Sequence, residues 1–397
     1  MPKCTCMETH EAATTRLNIK PSHTFHPLAH AMAPSRTRII NTSDPPQCPL
    51  PALLSPAKQS ACFSICNERL EVDSTTALRY LLDPPNPVDA DLREGLNTFL
   101  RLPREDRAFQ GVRRLDNVFE LCLASANSEE LLAAEVVTWR GILTNIMVGK
   151  KLDLNVSYYR GVLYLEEDCP RVSYHPDSVG MYMGYVFSRI ICSLQVLLPY
   201  RHKFETICST SNHPETDNVN LHTLWNAAIT RTLGSLKILL VGEVDCVKPG
   251  YSEAPGPEHY VELKTRKGDG QRSIIPNLPR WILQSRLLGT PEIFVGFPDS
   301  AGVVRSCATV RVETLNAAQD QIDWGARVLH SLRQYCASST PAGGSIKVWR
   351  VEARKGFVDV RKLSVWEVTR LNEGGVPRNG IIPVSFMEGL ESRASVT

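Results

Sequence analysis

Residues 242–265 read GEVDCVKPGYSEAPGPEHYVELKT, placing Glu243 two residues before Asp245 and Glu262 two residues before Lys264. Both pairs lie in apolar runs, ILLVGEVDCV and YVELKT, where ionised side chains are normally kept out. Read as strands, these runs put Glu243 and Asp245 on one face and Glu262 and Lys264 on one face. The intervening residues 248–259 carry Pro249, Pro255, Pro257, Gly250 and Gly256, which predicts a loop joining neighbouring strands. A hairpin would then gather all four charged groups. Three carboxylates against one lysine repel, by about 4 kcal/mol per pair at ~4 Å and an effective dielectric of ~20. A further cation would relieve this. Hard divalent ions such as Mg²⁺ and Mn²⁺ take oxygen ligands, and a pair of them can clamp the attacking and leaving oxygens of a phosphodiester displacement. The four residues alone equally fit a solvated ion-pair ladder on a hairpin.

The rest of the chain must supply the frame for this cluster. Its 397 residues suffice for one large domain or two ordinary ones. With 44 Lys and Arg against 42 Asp and Glu, net charge selects no partner, so any nucleic-acid contact must come from a local basic groove. The 12 cysteines follow no zinc or disulfide spacing, which predicts reduced thiols; Cys4 and Cys6 form a lone Cys-x-Cys, and Cys62 and Cys66 lie four apart. No signal-peptide pattern opens the chain, and no apolar stretch reaches the ~20 residues of a membrane span. The expectation is a soluble nuclear or cytosolic protein.

Residues 1–60 mix Thr, Ser, His and Pro without a sustained period and are predicted to be a disordered leader. Residues 61–397 are predicted to form a single α+β domain, a mixed β-sheet core flanked by helices. Within it, residues 78–87 and 91–103 read as extended segments broken by proline. A helix is predicted from a cap at Ser128 through Met147, then a strand within 152–165. Further helices are predicted over 181–198 and at the start of 221–240, the latter passing into the Glu-x-Asp strand. A basic loop follows the Glu-x-Lys strand. Beyond it come a helix at 280–288, strands at 293–297 and 303–312, and a helix over 316–336.

In this order, FSICNERL, LRYLLDPPNP, VTWRGILTNIM, MYMGYVFSRI, LLVGEVDCV, YVELKT, WILQSRLLGTP and IIPVSFMEGL resemble the DXO family of RNA 5′-end decapping and quality-control enzymes. The resemblance covers nearly the whole chain after the leader and implies an elaborated PD-(D/E)XK nuclease core. It implies that Glu243, Asp245, Glu262 and the main-chain carbonyl of Leu263 bind divalent metal, two Mg²⁺ or Mn²⁺ ions. Glu243, Asp245, Glu262 and Lys264 would form the catalytic set, with Lys264 beside the attacking water. By the same resemblance Arg140 contacts a phosphate near the RNA 5′ end, and Gln284 contacts RNA or orients the site. Near the site Lys264, Arg266, Lys267, Arg272, Arg280 and Arg286, with Trp281 among them, fit a groove that tracks single-stranded nucleic acid, while Arg266, Lys267 and Arg272 also fit a plain solvated charge run. In one place the chain departs from the family's pattern. After Gly184-Tyr185-Val186-Phe187 it has Ser188 where the family has glutamate, so one negative charge is missing from the set.

The resemblance implies a metal-dependent hydrolase acting on RNA 5′ ends: an unmethylated guanosine cap, an NAD cap, a 5′ triphosphate, and 5′→3′ degradation from a monophosphate. Two alternatives remain open on the sequence. One is a catalytically weakened partner of a nuclear 5′→3′ exoribonuclease, and the other a DNA nuclease on the same core.

Overall fold

The computed structural model describes residues 36–41, 49–83, 85–101, 114–168, 202–211, 223–267, 270–313, 318–340, 346–373 and 375–395. All fall in a unit spanning Ser35–Thr397. The chain runs through β1 (Thr37–Asn41), β2 (Lys58–Cys66), β3 (Arg69–Val72), β4 (Arg79–Leu81), α1 (Leu96–Arg101), α2 (Asp116–Ala124) and α3 (Ser128–Leu132). Next come β5 (Val136–Trp139), α4 (Arg140–Met147), β6 (Leu152–Tyr159), β7 (Val162–Glu167), α5 (His202–Cys208), β8 (Ser209–Ser211), β9 (Thr223–Leu233) and β10 (Leu236–Glu243). The last part contains β11 (Cys246–Val247), β12 (Tyr260–Thr265), α6 (Leu278–Leu288), β13 (Glu292–Pro298), β14 (Val304–Arg311), α7 (Gln319–Ser338), β15 (Val348–Arg354) and β16 (Phe357–Lys362). It closes with α8 (Val365–Leu371), the short pair β17 (Arg378–Asn379) and β18 (Ile382–Pro383), and α9 (Val384–Ala394).

Ten strands form the larger sheet, ordered β1-β16-β15-β6-β7-β5-β10-β9-β2-β3, and six form the smaller, β14-β13-β12-β11-β4-β8. At the centre of the larger sheet β7, β5 and β10 run parallel, while their outer neighbours are antiparallel. Helices cover both faces there. Ile142, Leu143 and Ile146 of α4, Leu283 and Leu287 of α6, and Val328 and Leu332 of α7 fill the core on one side. Phe119 of α2 and Phe386 of α9 pack with Tyr164 and Val241 on the other. A strand buried on both faces reads as a continuous apolar run, which explains Ile238–Val241. Thus α+β architecture with a mixed sheet and flanking helices is present.

Several local expectations are corrected. The fold begins before residue 61: β1 pairs with β16, Ile40 and Ala52 are buried, and the expected boundary falls inside β2. The long helix predicted from Ser128 to Met147 is two helices separated by β5, because Val136, Val137 and Thr138 are β-branched and enter the sheet. Asn127, not Ser128, is its N-cap. Residues 96–101 are helical, not extended. The strand predicted in 152–165 is a hairpin, turning on Arg160 (φ 47°) and Gly161 (φ 85°), the left-handed pair a two-residue turn requires. Among the described residues no helix leads directly into β10. Residues 223–233 are β9, which turns back on β10 at Gly234 (φ 58°). The helix predicted over 181–198, Ser188 included, and the leader before residue 36 lie outside the described residues.

Candidate active site

The apolar run 238–247 is not one strand. β10 ends at Glu243, the chain crosses from the larger sheet to the smaller through Val244 and Asp245, and β11 then pairs antiparallel with β12. The register Cys246↔Val261 extends to bring Asp245 opposite Glu262. Asp245 and Glu262 are 3% and 2% exposed, so both carboxylates sit in the seam between the two sheets. Asp245 Oδ2 accepts the Leu263 N–H at 2.8 Å. Lys264 Nζ lies 3.5 Å from Asp245 Oδ2, contacts Glu262 Oε1, and donates to the Leu263 carbonyl at 3.2 Å. Glu243, half-buried, closes β10 opposite Asn226 of β9.

Two more side chains reach Glu262 from helices. β5 runs parallel to β10 with Trp139 opposite Val241, so α4 begins at the end of the sheet where Glu243 lies. Arg140, its first residue and 5% exposed, donates from Nη1 to Glu262 Oε2 at 3.1 Å. A cation in the first turn opposes the helix dipole, so helix stability does not explain Arg140 there; its partner Glu262 does. From α6, Gln284 donates from Nε2 to Glu262 Oε1 at 2.7 Å. Glu262 therefore accepts from Arg140, Lys264 and Gln284 together. The expected count of three acids against one lysine changes, since Arg140 is a second buried cation in the set. One negative charge remains in excess.

Sequence reasoning missed Gly242. A Cβ there would lie 3.0 Å from Arg140 Cβ, 3.2 Å from Arg140 Nε and 3.1 Å from Leu288 Cδ1. Its lack of a side chain is what lets Arg140 pass between β10 and α6. A glycine inside an apolar strand, immediately before Glu243, was the available signal of a close approach.

The basic groove is also revised. Trp281 is buried among Ile274, Ile282, Ile293 and Phe297, where it cannot stack on a base. Arg286 lies in the last turn of α6, Lys267 is exposed and Arg280 is half-buried. The side chain of Arg272 lies outside the described residues.

Among the described residues no three His, Cys, Asp or Glu side chains converge as a metal cage. The oxygens of Asp245 and Glu262 are instead turned toward the Leu263 N–H, Arg140, Lys264 and Gln284. The donor chemistry still fits a hard divalent cation: Asp245, Glu262 and the Leu263 carbonyl, with the half-buried Glu243 at the end of β10, offer only oxygen.

The RAI1 like PD-(D/E)XK nuclease family model matches residues 55–387. The decapping and exoribonuclease protein of Rattus norvegicus is 30% identical over 318 residues, 73% of this chain and 74% of the relative. The decapping nuclease RAI1 of Aspergillus fumigatus is 25% identical over 357 residues, 83% of this chain and 92% of the relative. In fold, the chain is similar to crystal structures of Scheffersomyces stipitis Rai1 with (3′-NADP)⁺ and calcium ion, and of Candida albicans Rai1 with pU5-Mn²⁺. The TM-score is 0.65 for each, at 20% and 17% identity, covering 87% and 91% of this chain and 98% and 99% of theirs.

Proposed function

The chain belongs to the RAI1-like PD-(D/E)XK nucleases, and from that premise we propose that it is a divalent-metal-dependent hydrolase of RNA 5′ ends. Its substrates in this reading are incomplete or noncanonical caps, an unmethylated guanosine or NAD cap, and 5′ triphosphate, with 5′→3′ exoribonuclease activity beside decapping. The observation that carries the reading is Glu262: a buried carboxylate opposite Asp245, held by Arg140, Lys264 and Gln284 in the seam of two sheets. The names of the relatives, decapping nuclease and exoribonuclease, support the reaction class. The uridine pentanucleotide and Mn²⁺ bound by the Candida albicans protein support single-stranded RNA and a divalent ion.

Glu243, Asp245, Glu262 and the Leu263 carbonyl would hold the ions, two in this reading. Bound there, divalent ions supply a lowered pKa for water and charge neutralisation at the phosphoryl group. In this reading Lys264 Nζ, which contacts Asp245, Glu262 and the Leu263 carbonyl, would exchange one of these contacts to donate to the oxygen of an attacking water and favour its deprotonated form. In this reading Arg140 offers the phosphate a planar guanidinium fork. Gln284 holds the Glu262 carboxylate in one orientation.

The test is incubation of the purified protein with 5′-labelled RNAs carrying an unmethylated guanosine cap, an NAD cap, a triphosphate or a monophosphate, in Mn²⁺ or Mg²⁺. A Glu243→Ala, Asp245→Ala variant runs beside it. Release of an intact cap structure by the wild type alone is expected. No cleavage of any of these RNAs in either metal would sink the reading.

A further inference from the structure

Arg231 leaves β9 opposite Ile238, and its guanidinium reaches past the larger sheet to the C-terminal end of α6. Nη1 donates to the main-chain carbonyls of Arg286 and Leu287, the second at 3.3 Å, and Nη2 donates to the carbonyl of Ser55. No carboxylate among the described residues pairs with it. Burial pushes its pKa down to about 10, which leaves it charged at neutral pH, and its buried Nε has no hydrogen-bond partner. The counter-charge is the helix end itself, where the last carbonyls lack partners within the helix and the dipole favours a cation. α6 stops there at Gly289, φ 81°, with Gly289 N–H on the Arg286 carbonyl at 3.2 Å and Thr290 N–H on that of Ser285 at 2.9 Å. The Arg286 carbonyl thus takes both the helix's own closing bond and Arg231.

Gln284 lies two residues before Arg286 on this helix, and it reaches Glu262 at 2.7 Å. Rotating or sliding α6 by even an ångström would take the amide out of hydrogen-bond range. We infer that Arg231 is a positioning residue: it pins the end of α6 to β9 and to the segment at Ser55, and so keeps Gln284 in hydrogen-bond reach of Glu262, the proposed metal ligand. The inference rests on the proposed metal role of Glu262. Arginine is required because one planar fork spans carbonyls of two separate segments, which a lysine point charge does not.

The experiment compares wild type, Arg231→Met, Arg231→Lys, Gln284→Ala and the double variant Arg231→Met, Gln284→Ala. Mn²⁺ binding is measured by calorimetry, and amide hydrogen exchange over residues 283–288 is measured without metal. Loss of a group that orients a metal ligand typically weakens binding about tenfold or more. Arg231→Met is expected to weaken Mn²⁺ binding as much as Gln284→Ala does, the double variant no more than Gln284→Ala alone, and Arg231→Lys by a smaller factor. Wild-type affinity in Arg231→Met, or losses that multiply in the double variant, would overturn the inference. If Arg231→Met does not fold, Arg231→Lys and its double with Gln284→Ala decide by the same comparison. If wild type binds no Mn²⁺, the metal reading of Glu262 fails. Exchange then judges the pinning separately: acceleration at 283–288 in the Arg231 variants upholds it, and wild-type protection refutes it.

Discussion

Arg140 Nη1 lies 3.1 Å from Glu262 Oε2, although Arg140 opens a helix that follows the larger sheet and Glu262 belongs to a strand of the smaller one. The pair is almost fully buried, with side chains 6% and 2% exposed. Removing one member of such a pair leaves an uncompensated charge and costs about 3–5 kcal/mol. Here the Glu262 carboxylate keeps Lys264 as a second cation, which softens that loss.

Arg140→Lys should therefore keep the fold and lose function. The ammonium preserves the charge but has no planar fork to span Glu262 and a phosphate at once. The expected result is a drop of about a hundredfold in kcat/KM for RNA cleavage, with the melting temperature within a few degrees of wild type. Wild-type kinetics in this variant would remove Arg140 from substrate contact.

Gly242→Ala should damage the site through Arg140 and not through Glu243. The added methyl would sit 3.0 Å from Arg140 Cβ and 3.1 Å from Leu288 Cδ1, tighter than ordinary packing. Overpacking of this kind costs about 1–3 kcal/mol. Thermal unfolding should register that loss, and RNA cleavage should fall with it. In an Arg140→Gly background the alanine should be tolerated better, because the Cβ and Nε of Arg140 that it crowds are then both gone. Equal destabilisation in both backgrounds would assign the clash to Leu288.

The buried charge cluster was legible in the sequence for a physical reason: Asp245, Glu262 and Lys264 are charged residues inside apolar runs, and such residues have few places to go except a shared site. The break between Glu243 and Cys246 was not legible. A continuous apolar run gives no sign that it changes sheets halfway, and periodicity cannot tell one long strand from two short ones in different sheets. The stretch 128–147 misled in the opposite way. Apolar positions at Leu132, Val136, Trp139, Leu143 and Ile146 match helical spacing, yet Val136–Trp139 is drawn into the gap between β7 and β10, where tertiary pairing overrides local propensity. The convergence of Gln284 and Arg140 on Glu262 depends on how α4 and α6 pack, which no local pattern encodes.

A second buried acid gives a pH signature away from the site. Glu166, on β7, is fully buried. Arg114 Nη2 stands 3.3 Å from its Oε1, and the Leu115 N–H points at its Oε2 at 3.4 Å. Burial raises its pKa to about 7, Arg114 and Arg378 pull it back down, and Asp116 pushes it up. In the unfolded chain the group titrates near the ordinary glutamate value, about 4.3. Between those two values the folded state holds more protons than the unfolded state. The contribution of Glu166 is therefore fully present below about pH 4.3 and is lost as pH rises toward 7, on the order of 3 kcal/mol across the window. Glu166→Gln should flatten that stretch of the stability curve measured by denaturant unfolding between pH 4.5 and 7.5. Parallel curves for the two proteins would show that the Arg114 ion pair cancels the effect of burial.

The last prediction concerns Ser188, where the family's second motif has glutamate. In the proposed set, Glu243, Asp245 and Glu262 stand against Arg140 and Lys264, so one net negative charge is left to attract a cation. A divalent ion is held largely by the carboxylate charge around it, and Mg²⁺ in particular gives up its waters reluctantly. Restoring the acid with Ser188→Glu would double the net negative charge of the set. The expected outcome is Mn²⁺ binding about tenfold tighter by calorimetry, with RNA cleavage at limiting Mn²⁺ raised in step and cleavage at saturating Mn²⁺ changed less. Adding chelator should abolish cleavage in both proteins and leave the helical and sheet content unchanged, since the seam carries its own cations in Arg140 and Lys264. If Ser188→Glu gains neither affinity nor rate, position 188 does not address the metal set, and the serine is a neutral departure from the family's pattern.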